Sequence, residues 1–207
     1  MAKLVLILLA VIYAIVSQNN LHVYLIINTS LLLIMLMNRD NINVVHLCGA
    51  LLVVYTAEMI IFHNFIVVES DTLSRMSINA IIFSFHFIVD LVLFILVALR
   101  APFTRGRLAA QGKSHDHVFI YNSEFGLKAL FVVFMIVDFL ALAENFIRHL
   151  DEFGISPEIA EFFANWTIIY YSYSPAKFVL LGITFLLIWS MTTDIGKDKY
   201  KKTAVIS

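Results

Sequence analysis

The chain has 207 residues, 61% of them hydrophobic and only 14% charged, with a formal net charge of −1. A mean hydropathy of +0.89 excludes an ordinary soluble domain, which needs more charge and amphipathic rather than continuous apolar runs. The single cysteine, Cys48, excludes an internal disulfide, a CxxC redox pair and a thiolate cluster; within its apolar stretch it reads as a packing residue.

Six apolar segments follow one another along the chain. The first covers residues 4–17 and the second 21–37, divided by the polar run Ser17-Gln18-Asn19-Asn20. Lys3 ahead of an apolar run resembles a signal peptide. A cut after Ser17, however, would place the bulky Ile15 where a small residue is needed, so the segment reads as a retained helix. The third segment covers 44–68 and the fourth 78–99. A connection over 101–124 leads to the fifth at 127–148; the sixth spans 166–191 with Pro175 inside it, and 192–207 form a tail. Runs of this length are helices, because barrel strands would be shorter and alternate. The expected fold is therefore all-α: a single-domain polytopic membrane bundle of about six helices. Its first hairpin is expected to pack outside a core of the last four.

Orientation follows from the basic residues. With six spans, one side holds Lys3, Arg39, Arg100, Arg105, Arg107, Lys113, Lys197, Lys199, Lys201 and Lys202. The other holds Arg75 and Arg148 with Glu69, Asp71, Asp151, Glu152, Glu158 and Glu161. The positive-inside rule then puts both termini in the cytoplasm.

Glu58, Asp90, Asp138 and Lys177 fall at matching depth in the last four segments. Each lies roughly 15–18 Å from the outer surface at about 1.5 Å per residue, close to the centre of a hydrocarbon core of about 30 Å. Ionisable groups there are costly unless they face one another. Helical phase agrees. Asn79, His86 and Asp90 share a face of the fourth segment, as do Asp138, Ala141, Asn145 and His149 on the fifth. Tyr170, Tyr173, Lys177 and Thr184 share one on the sixth, and Tyr55 and Glu58 on the third. Three carboxylates against one ammonium leave excess negative charge, which predicts a proton held among Asp90, His86 and Glu58.

These five residues, Glu58, His86, Asp90, Asp138 and Lys177, form the expected ion or proton site, with Pro175 as a gating kink beside it. The leading functional expectation is a proton- or cation-linked channel, transporter or channel-like subunit. The alternative is a non-catalytic structural or accessory subunit of a larger complex, in which the same charges merely clamp helices. A haem or metal centre is the third reading, with His63, His86 and Glu144 as candidate ligands. It lacks both the Glu-x-x-His pair of di-iron bundles and the His-Glu-x-x-His zinc motif. No nucleophile elbow, P-loop or dinucleotide fingerprint is present, so neither enzymatic activity nor a cofactor is expected.

Outside the centre, Glu144 and Arg148 have the i, i+4 spacing of a local salt bridge. Lys128 is placed to snorkel. Ser156-Pro157-Glu158 opens a short helix, with serine as its cap. The 101–124 connection, including Ser114-His115-Asp116-His117, reads as a solvated loop facing anionic headgroups, as does the lysine-rich tail. The expected partners are thus the bilayer, its anionic lipids and a homo-oligomer or larger complex; nucleic acid is not among them.

Overall fold

The computed structural model describes residues 20–193 together with Val5, Leu9 and Tyr13. The predicted first segment, at 4–17, and the tail lysines Lys197, Lys199, Lys201 and Lys202 lie outside the described residues, apart from those three positions. Helices α1 (Asn20–Met37), α2 (Ile42–Phe65), α3 (Arg75–Ala110) and α4 (Asn122–Arg148) are followed by a 3₁₀ turn (Leu150–Phe153), α5 (Pro157–Ala164) and α6 (Ile168–Thr192). Among the described residues there is no strand. By length and composition α2, α3, α4 and the stretch Pro157–Thr192 can each cross a membrane, while Leu21–Met37 is a shorter apolar helix. Val53, Ile88 and Phe139 lie exposed on the outside of the bundle. Four such helices are consistent with an integral membrane protein.

Cross-helix contacts fix an up-and-down order. Asn43 meets Arg100 and Glu58 meets His86, so α2 and α3 are antiparallel. Arg100 meets Glu124 and Asn79 meets Asn145, which sets α3 against α4 in the same way. Glu144 meets Ile169 and Asp138 meets Lys177, which does so for α4 and α6. The 38–41 turn and the 111–121 loop therefore share one end of the bundle, where Asn41 donates to the Tyr121 hydroxyl. The 66–74 loop and the 149–167 connection share the other.

One boundary and one packing arrangement differ from expectation. The fourth predicted segment stops at Leu99, yet α3 continues through Pro102 to Ala110. Pro102 removes one ladder hydrogen bond, but Arg100, Ala101 and Thr104 are buried on this extension and hold it in place. The second predicted segment does not sit outside the core either. Val23, Ile27, Leu31 and Ile34 of α1 are buried in the same apolar cluster as α2, α3, α4 and α6. Amphipathic patterning cannot reveal such a face when the opposite face is equally apolar, as lipid requires.

Local chemistry sets the helix starts. The Asn41 side chain accepts from the Asn43 and Val44 amides to cap α2, and Ser74 accepts from Ser77 to cap α3. Pro157 occupies the first turn of α5 as expected, but the Ser156 hydroxyl makes no capping bond; its carbonyl instead accepts from the Ala160 amide. At Gly126 a Cβ would stand 3.1 Å from Leu187 Cδ2, so α4 and α6 approach closely there. Gly126→Val is expected to destabilise the fold by about 1–3 kcal/mol through overpacking, measurable as a lowered denaturation midpoint in detergent.

Candidate functional site

The ionisable residues expected at the midplane converge, though as two adjoining groups. In the first, Lys177 Nζ of α6 donates to Asp90 Oδ2 of α3 at 2.6 Å and lies 2.8 Å from Asp138 Oδ1 of α4. The Tyr173 hydroxyl, one turn before Lys177, donates to Asp138 Oδ1 at 2.7 Å. Asp138 is completely buried. The Lys177 ammonium also stands 4.8 Å from the Phe134 ring centroid and 5.7 Å from that of Tyr173. Two carboxylates and the rings of Phe134 and Tyr173 thus surround one cation, and that density of partners is what makes a buried ammonium tolerable.

The second group joins α2 to α3. His86 Nδ1 and Glu58 Oε1 share a hydrogen bond of 2.9 Å, and Tyr24 of α1 lines the same space as Glu58. The imidazole packs against Phe62 at 5.4 Å and faces Tyr173 at 6.4 Å, centroid to centroid. The sequence groups Asp90, His86 and Glu58 around one proton. The structure gives Asp90 to Lys177 and pairs His86 with Glu58, because the two acids project from different helices toward different partners.

A cavity of about 640 Å³ connects the groups. Glu58, His86, Asp90 and Lys177 line it, while its walls are largely aromatic. It extends along α6 past Pro175 and Ser174 to Tyr170 and Tyr171, and reaches Val68 and Asn79 near the end that carries the 66–74 loop. Toward the opposite end, Leu51, Leu93, Val97, Leu127, Leu130, Phe131 and Ile188 are buried in a continuous apolar layer.

Beyond that layer lies a second buried ionic centre, which sequence reasoning missed. Arg100 Nε donates to Glu124 Oε2 at 2.8 Å and Nη2 to Glu124 Oε1 at 2.7 Å. Nη1 donates to Asn43 Oδ1 at 2.9 Å, and Nη2 also reaches the Phe119 carbonyl at 2.6 Å. Glu124 accepts from the Tyr121 amide as well, so it caps α4 and neutralises Arg100 at once. Arg105 Nε donates to the Val118 carbonyl, and Val118 and Tyr121 are buried. The 101–124 connection is therefore folded into the bundle at Arg105, Val118, Tyr121 and Glu124, held from its edge by Arg100, rather than being a wholly solvated loop. Both charges of the pair stand at segment edges, where an interfacial residue and a buried one look alike in sequence.

Other expectations resolve individually. Glu144 and Arg148 do not pair. Glu144 accepts from the Ile169 and Tyr170 amides at 2.8 Å each, where the first turn of α6 presents unsatisfied donors. Arg148 instead lies over the Tyr170 ring at 5.0 Å. Asn145 and Ala141 are buried beneath, as their stripe predicts, with Asn145 bonded to Asn79 and the Met76 carbonyl. Lys128 stands over the Phe125 ring at 4.0 Å. The metal candidates His63, His86 and Glu144 are not brought together: His63 is exposed, and His86 and Glu144 are engaged elsewhere. Among the described residues no group of three or more His, Cys, Asp or Glu side chains could hold a metal ion. No protein family model, curated protein or solved structure matches this chain.

Proposed function

We propose that the chain is a proton- or cation-linked channel or transporter, or a channel-like subunit, working through Glu58, His86, Asp90, Asp138 and Lys177. The observation that carries this reading is that four of those ionisable groups line one half-open cavity of about 640 Å³ in an apolar bundle. A pure clamp needs its charges sealed; here Glu58, His86, Asp90 and Lys177 open onto space large enough for a ligand. The test is flux of protons and of monovalent cations in vesicles. Asp90→Asn is expected to abolish it, and an unchanged flux would assign the ion pairs to clamping.

That clamping role, in an accessory subunit of a larger membrane complex, is the second reading. It is favoured by Asp138, which is wholly buried with both oxygens engaged.

The proposed topology has six spans with both termini in the cytoplasm. The end carrying Arg39, Arg105, Arg107 and Lys113 would face the cytoplasm, and the end carrying Glu69, Asp71, Asp151, Glu152, Glu158 and Glu161 would face outward. The single native thiol, Cys48, is buried, so introduced cysteines report cleanly. In sealed vesicles of known orientation a membrane-impermeant maleimide is expected to label Glu161→Cys from outside, and Lys113→Cys only after permeabilisation. The reverse pattern would invert the topology.

A further inference from the structure

The cavity has two corners of similar chemistry. In one, the Lys177 ammonium rests on two aromatic rings between Asp90 and Asp138. In the other, Glu58 is bonded to His86 and lines the same space as Tyr24, Tyr55 and Phe62. Lys177 is the sole lysine or arginine among the described lining residues, against Glu58 and Asp90 on the wall and Asp138 directly behind. With both acids ionised and His86 neutral, Glu58 and Asp90 outnumber Lys177 on the lining, beside aromatic faces, which attract cations through their quadrupoles. About 640 Å³ is the size of a small-molecule site, far more than a bare monatomic ion fills. Nor do the described carboxylates and histidines form a metal-sized cluster.

We propose that this cavity binds a small organic ammonium whose cationic head pairs with Glu58 among the rings of Tyr24, Tyr55 and Phe62, while its apolar body lies along the aromatic wall toward Tyr170 and Tyr171. The chain's own lysine shows the mode of recognition: a carboxylate for charge, ring faces for the rest of the cation's surface. Entry would be from the end carrying the 66–74 loop, since the cavity reaches Val68 there and the apolar layer closes the other direction. The inference rests on reading the cavity as a binding site, and names the substrate class of a cation-linked protein.

The experiment is calorimetric titration of the purified full-length protein in nanodiscs with benzyltrimethylammonium, using benzyl alcohol as the uncharged control. Saturable binding of the cation but not the alcohol is expected. Glu58→Gln, which keeps the shape and an acceptor for His86, should weaken it by about tenfold or more. Phe62→Leu should weaken it severalfold; Glu161→Gln, an exposed acid outside the cavity, should leave it unchanged. Equal binding of the alcohol, no binding of the cation, or full affinity in both Glu58→Gln and Phe62→Leu would overturn the proposal. If Glu58→Gln does not fold, Phe62→Leu and the alcohol control decide. Binding is read without transport, so a bound cation with no flux in vesicles would retain this inference and remove the transport reading.

Discussion

Arg100→Met is expected to cost about 3–5 kcal/mol of stability, because it leaves Glu124 as an uncompensated buried charge. Arg100 and Glu124 have side chains only 3% and 2% exposed, so solvent screening offers little relief. The loss should reach beyond one pair: the guanidinium also holds Asn43 at the start of α2 and the Phe119 carbonyl in the loop before α4. Removing it loosens three chain segments at one end of the bundle. Denaturant unfolding in mixed micelles would measure this. The double variant Arg100→Met, Glu124→Gln should recover a large part of the loss, since the introduced amide oxygen can still accept from the Tyr121 amide while the orphaned charge is gone. If the double variant is no more stable than the single one, charge burial is not the cause.

The second large effect is expected at Lys177. Lys177→Met removes the one cation between Asp90 and Asp138 and should also cost about 3–5 kcal/mol. Adding Asp138→Asn should restore part of that stability, because it removes one of the two orphaned carboxylates while the introduced side chain retains an acceptor for the Tyr173 hydroxyl. This pair of variants separates the two functional readings. For a clamp, recovery of the fold recovers whatever the protein does. For a site, the double variant regains stability and carries no flux.

The membrane class, the long helices and the meeting of Glu58, His86, Asp90, Asp138 and Lys177 are legible from sequence for one physical reason. Lipid makes an isolated charge so expensive that matched depth and helical face leave few alternatives. Where that penalty is weak, sequence says less. Arg100 and Glu124 sit at the ends of apolar runs, where water and protein are both plausible surroundings, so their mutual burial is invisible there. The burial of α1 is hidden for the opposite reason, since a helix apolar on every side gives no sign of which face meets protein. Glu144 illustrates a third failure. Spacing along one helix favours Arg148, whereas the unsatisfied amides opening α6 outcompete it across space.

That last contact has a mechanical consequence. Glu144 of α4 grips the first turn of α6, and near the far end Leu187 of α6 lies against Gly126 of α4. Helix α6 is therefore a beam held near both ends by the same neighbour, and sliding it along its axis would break two charge-assisted hydrogen bonds and a close fit together. Between those grips Tyr173 and Lys177 tie α6 to Asp138 of α4, so bending there works directly against that contact. The weakest point of α6 there is Pro175, which has no amide hydrogen to return to the Tyr171 carbonyl and lies two residues before Lys177. Any deflection of α6 is thereby delivered to the ammonium that bridges Asp90 and Asp138.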